Sequence, residues 1–220
     1  MTDYLNGSLA NMLDAVSRGP YAPGAGSVAA LASATASALL IAACEANQRA
    51  QGREECNLTG AEVADILTQL REHLHTMRTA IQEDADVFGK VGTTRDARDR
   101  CQRGSDERKE LHARCCSQLI EATSPIIRII ETAPLLAELG CVLYERGIWW
   151  VTGDCSVSIH LALASADGAT SILRLNRFTL RNHDTQWCEH VAARIQQSES
   201  RISKLRERAV KLVNAGMPDI

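Results

Sequence analysis

The chain has 220 residues and a formal net charge of −3, and 45% of its residues are apolar but only 4% aromatic. That length is enough for one domain with a core of ordinary size, and that apolar fraction excludes global disorder. Near neutrality argues against a protein that coats nucleic acid or an anionic membrane surface.

With two Phe, three Tyr and three Trp, the core must be built from Ala, Leu, Ile and Val. Small residues in such numbers favour backbones that approach closely, as packed helices do. The start, Met1-Thr2-Asp3-Tyr4-Leu5-Asn6, has no basic segment followed by an apolar run, so no secretory leader is expected, and a cytoplasmic location is. Eight cysteines without a CxxC pair fit reduced thiols in such a compartment.

The first predicted element is an amphipathic helix from Tyr4 to Val16, stopped by Arg18-Gly19-Pro20. Ala22-Pro23-Gly24-Ala25-Gly26-Ser27 then reads as a loop, with Ser27 as N-cap of a helix from Val28 to about Arg49. Its stretch from Val28 to Cys44 is uncharged, but it contains Ser33, Thr35 and Ser37 and falls short of the ~20 residues of a membrane span. A central buried helix is expected.

Val63, Leu67, Leu70, Leu74, Met77, Ile81, Asp84 and Phe88 fall alternately four and three residues apart. That spacing predicts a long helix with one seam packed against partners, and Asp84 is the seam's only polar member. Charges crowd from Lys90 to Arg114, where Gly92 and Gly104 interrupt the pattern, predicting a surface loop that enters another helix near Ser105. The alternative for that stretch is a cationic rim for an anionic ligand.

Pro125 predicts a helix start or kink, and Pro134 the end of that stretch before a further helix from about Leu135 to Tyr144. Ile148 to Gly153 reads as a loop or a short extended piece. After Asp154, Val157, Ile159, Leu161 and Leu163 alternate as in a strand, but Ala162, Ala164, Ala166 and Ala169 favour helix. A lone strand would have no partner, so a helix is expected. The last helix runs from about Asp184 to Asn214. The whole is expected to be all-α, a single-domain bundle of six to seven helices over residues 1–220.

Three places can carry chemistry. An ionised Asp84 on an apolar seam is costly unless it is paired, hydrogen-bonded or open to a cavity, and burial raises its pKa toward general acid–base use. It serves that use or lies where its helix has emerged into solvent. The glycines of Pro23-Gly24-Ala25-Gly26-Ser27 let a backbone approach a ligand, and the N–H groups of the next helix favour an anion or carbonyl oxygen; a plain capped turn is the alternative. Asp154 has N-capping as its default role, although a capping carboxylate can face a cleft. His160 is a packing residue or an added acid–base group. His73 and His75 point to different faces, and His183, Cys188 and His190 have no metal spacing, so no metal is expected.

In this order the pieces resemble the cyclodeaminase/cyclohydrolase family, whose pattern is a Pro-Gly-Gly-Gly-Ser loop opening an Ala-rich helix, Asp-Ala-Glu-Ala-Phe on a long helix, a helix with Pro, a Ser-Asp helix start and an Asn-rich helix end. Here these read Pro23-Gly24-Ala25-Gly26-Ser27, Asp84-Ala85-Asp86-Val87-Phe88, Pro125, Gly153-Asp154, and Gly168-Ala169 through Asn176. Ala25 stands for the middle glycine and Gly153 for the Ser. Gly147-Ile148 replaces Gly-Asn, and Ile172 one of two later Asn residues.

The resemblance implies an all-α homodimer acting on a small molecule, without nucleic acid, membrane or a bound cofactor. Its reactions open or close an amidine-type C–N bond of a tetrahydrofolate derivative through a tetrahedral carbon. It implies Asp84 and Asp154 as catalytic carboxylates, Pro23 to Ser27 as a substrate cradle and Asn176 as an orienting group, with His160 outside the family pattern. A pterin ring would find its aromatic partner at Trp149-Trp150. Two other functions fit the residues: the same scaffold acting on a non-folate nitrogen compound, and a non-catalytic helical dimer.

Overall fold

The computed structural model describes residues 3–19, 21–52 and 56–215. Among the described residues there are seven α-helices, α1 Leu9–Arg18, α2 Ala25–Arg49, α3 Gly60–Arg100, α4 Asp106–Glu121, α5 Thr123–Arg146, α6 Thr152–Leu180 and α7 Thr185–Asn214, and a 3₁₀ turn at Trp149–Val151. There is no strand among the described residues, so the alternating segment after Asp154 is helical.

Helix α1 begins later than expected because the Asp3 carboxylate takes the N–H groups of Leu5 and Asn6. Tyr4 gives its N–H to Gln82. Ser8 then caps the helix by accepting from the N–H of Asn11.

α2 is the central helix, packed against α3, α5 and α6. Its apolar stretch is long enough to cross a membrane by length and composition, with a mean hydropathy of 1.9, but here it fills the bundle. Small residues make the close crossing with α6. The hydroxyl of Ser33 donates to that of Ser165 at 2.8 Å, and Ser165 donates to the carbonyl of Ala29 at 2.7 Å. At the other end Asn47 accepts from the N–H of Ile148 at 2.9 Å, which fixes the α5–α6 connection to the end of α2.

α3 runs for 41 residues, about 60 Å, from a Thr59–Glu62 capping box. The loop expected from Lys90 is helix as far as Arg100. Two contacts hold the extension: Val91 is fully buried with Cys115, Cys116, Leu119 and Leu180, and the ring of Tyr21 lies on the backbone of Gly92. A Cβ at Gly92 would stand 2.3 Å from Cγ of Tyr21, so the residue with the poorest helix propensity after proline is the one that fits. The chain turns at Gly104, with a φ of 86°, and Ser105 caps α4 by accepting from the N–H of Arg108.

Pro125 lies in the first turn of α5, where no N–H is missed. Pro134 does not end that helix; it is buried inside it. A proline there leaves the carbonyl four residues back without a partner. That carbonyl, of Ile130, accepts from the hydroxyl of Ser198 on α7 at 3.4 Å.

α7 is held in register from two sides. Arg194, Arg201 and Arg208 pair with Glu131, Glu138 and Glu145 of the parallel α5. Arg174 and Asp167 of the antiparallel α6 pair with Glu199 and Arg206.

Candidate active site

Asp84 is only 5% exposed. The seam of α3 turns it toward the first turn of α2, where one carboxylate oxygen accepts from the hydroxyl of Ser27 at 2.8 Å. The same hydroxyl lies 3.1 Å from the carbonyl of Ile81. Burial pushes the carboxyl above its ordinary pKa of 3.8, and the hydroxyl and N–H of Ser27 oppose that shift. Emergence into solvent is thereby excluded: Asp84 is a buried, hydrogen-bonded carboxyl at the positive end of a helix.

The cradle differs from its expected form. Gly24 is the N-cap of α2 and Ser27 lies inside the helix, its hydroxyl used on Asp84 and not on the helix end. Pro23, Gly26 and Ser27 are buried and Ala25 is exposed. A Cβ at Gly26 would stand 2.2 Å from Oδ1 of Asp84 and 2.6 Å from Cδ1 of Ile126. Only glycine lets the carboxylate come this close.

Asp154 is exposed in the first turn of α6, whose N-cap is Val151, so it does not cap. The α6 start sits against Asn47, whereas Asp84 sits against Ser27, about 30 Å away along α2. Within one chain the two carboxylates lie at opposite ends of the bundle. His160 is exposed on α6, between the Asp154 end and the Ser33–Ser165 crossing. Asn176 is buried, with 6% exposure, eleven residues past that crossing, about 16 Å, which puts it toward the Asp84 end. Trp149 and Trp150 are 37% and 44% exposed, with rings edge to face at 5.8 Å.

A cavity of about 540 Å³ opens beside Asp84, lined by its neighbours Ala85 and Asp86 and by Gly89, Lys90, Thr94 and Gln118, among others. Ala22 of the cradle loop forms part of its wall. Tyr21 pins that loop by donating its hydroxyl to Asp96 at 2.5 Å, a bond that raises the phenol's pKa. Sequence reasoning missed Tyr21, Lys90, Thr94, Asp96 and Gln118 as parts of one region. The signal available was the tyrosine directly before the cradle and the two glycines of α3 on which the loop lies.

Burial lifts the Cys155 thiol to about 12 and those of Cys44 and Cys141 to about 11, which makes these three poor nucleophiles. Among the described residues no group of three His, Cys, Asp or Glu is placed to hold a metal ion.

The crystal structure of formiminotetrahydrofolate cyclodeaminase from Thermotoga maritima superposes with a TM-score of 0.78 at 20% identity, covering 97% of this chain and 98% of that one. The family model for formiminotransferase-cyclodeaminase matches residues 8–197. The chain belongs to the formiminotransferase-cyclodeaminase family. No curated protein matches it in sequence.

Proposed function

We propose that the chain is an enzyme that opens or closes an amidine-type C–N bond, with a tetrahydrofolate one-carbon derivative as substrate. The observation that carries this is the Asp84–Ser27 pair: a carboxyl with a raised pKa, fixed by two donors of one residue on the family fold. Both the hydrolysis of a methenyl group to a formyl group and the closure of a formimino group with loss of ammonia pass through a carbon flanked by two nitrogens. Each needs a proton removed from one side and supplied to the other. Asp84 holds and moves that proton, and in its ionised form it stabilises the amidinium cation. Neither reaction changes an oxidation state, so the reaction calls for no redox cofactor.

The working form is proposed to be a homodimer. α2 exposes Val28, Thr35, Ala38 and Ala42, and α6 exposes Val157, His160 and Ala164, so neither face bears a formal charge over these turns. A two-fold axis through the middle of α2 brings the Asp154 end of one chain toward the Asp84 end of the other, which gives Asp154 and His160 a route to the site.

One observation favours a second substrate class on the same scaffold. Where the family tends to have Asn, this chain has Ile148, fully buried, and Ile172, packed on the core. Two hydrogen-bonding groups are thus replaced by apolar ones. The test is a panel of 5,10-methenyltetrahydrofolate and 5-formiminotetrahydrofolate. Turnover of either above the buffer rate supports the folate reading, and turnover of neither supports a non-folate nitrogen compound.

A further inference from the structure

Cavities that bind small molecules usually measure about 300–1,000 Å³ and carry a few convergent polar groups. The cavity of about 540 Å³ beside Asp84 fits that description in an uneven way. Gln118 lines it, and its Oε1, shut off from water, has no hydrogen-bond partner. Thr94 lines it with 8% exposure, and its hydroxyl, unlike that of Thr93, which donates back to the carbonyl of Gly89, makes no hydrogen bond to another described residue. Asp86 lines it too, one of its oxygens accepting from the amide of Gln82.

Acceptors therefore predominate inside, and a buried acceptor without a donor is unfavourable unless a ligand or water supplies one. The group of opposite character is Lys90, one turn beyond Asp86 on α3. It is exposed and forms no ion pair among the described residues. The rest of the wall combines the ring of Tyr4 with small residues, Ala22, Ala85 and Gly89, a Cβ on Gly89 standing 3.8 Å from that of Ala22.

We propose that this cavity is a specificity pocket for a ligand bearing N–H donors and a carboxylate, with Gln118 and Thr94 meeting the donors and Lys90 the carboxylate. The proposal rests on the folate reading above and assigns the residues that select its substrate. None of the three is required by the bond chemistry. All three lie on segments that depend on α3 continuing as a helix past Phe88.

The test uses the full chain and two probes: 5-formyltetrahydrofolate, which has ring N–H groups and carboxylates, and 6-methyltetrahydropterin, which has the ring alone. Binding is read by calorimetry and ligand-free stability by thermal melting, for wild type, Thr94→Val, Gln118→Leu and Lys90→Met. The expected result is that Thr94→Val and Gln118→Leu weaken both probes about tenfold while the ligand-free Tm holds or rises, since an unpaired polar group has been removed. Lys90→Met weakens only 5-formyltetrahydrofolate. A fall in Tm with binding unchanged marks Thr94 and Gln118 as structural and overturns the pocket. So does Lys90→Met acting equally on both probes. If wild type binds neither probe, the folate reading fails and this assignment with it; if wild type binds both and no variant differs, the assignment alone fails.

Discussion

Ser27 donates its hydroxyl to the carboxylate of Asp84 across 2.8 Å in a site from which water is nearly excluded. A hydrogen bond to a buried charge is worth about 2 kcal/mol. Ser27→Ala is therefore expected to lower stability at neutral pH by that order in urea denaturation, and less in acid, where the carboxyl is protonated. Any catalytic pH profile governed by Asp84 moves upward, because one of the donors opposing the effect of burial is gone.

Asp84 itself has an expected signature in stability. Its folded pKa lies above the unfolded value, so it favours the fold while protonated, and that contribution is lost as pH rises through the folded pKa. Asp84→Asn keeps an acceptor for Ser27 and removes the buried charge. At pH 7 the variant should melt a few degrees above wild type, with the gap closing below about pH 4. Melting curves across that range check it.

Gly26 and Gly153 make a matched comparison. Gly26→Ala places a methyl against Asp84 and Ile126, with an expected loss of about 1–3 kcal/mol. Gly153→Ala meets nothing within 4 Å and should stay within about 0.5 kcal/mol of wild type. Chemical denaturation of both variants gives the comparison.

Pro134 and Ser198 should be coupled. Ser198→Ala leaves the carbonyl of Ile130 unpaired in a buried helix, at about 1–3 kcal/mol. In a Pro134→Ala background the restored N–H takes that carbonyl, and the same substitution should lose most of its effect. A double-mutant cycle measures the difference.

What the sequence revealed followed range. The seam from Val63 to Ile81 and the odd member Asp84 were legible because helical spacing is local, and Pro125 announced its helix for the same reason. The errors came from partners distant in the chain. Gly92 looked like an interruption because Tyr21, which needs its bare backbone, lies far earlier, and Pro134 looked like a stop because Ser198 lies far later. Ser27 had the chemistry of a cap but was claimed by Asp84. That Asp84 and Asp154 sit at opposite ends of α2 was not legible at all, since each has the same local signature wherever the bundle places it.

The most direct test of the proton-transfer role of Asp84 is the rate at which 5,10-methenyltetrahydrofolate is consumed by wild type and by Asp84→Asn, compared at equal far-UV helical signal. The account predicts wild-type turnover above the buffer rate and a loss of at least about a hundredfold in the variant. Equal turnover by the two proteins, or wild type no faster than buffer, would contradict it.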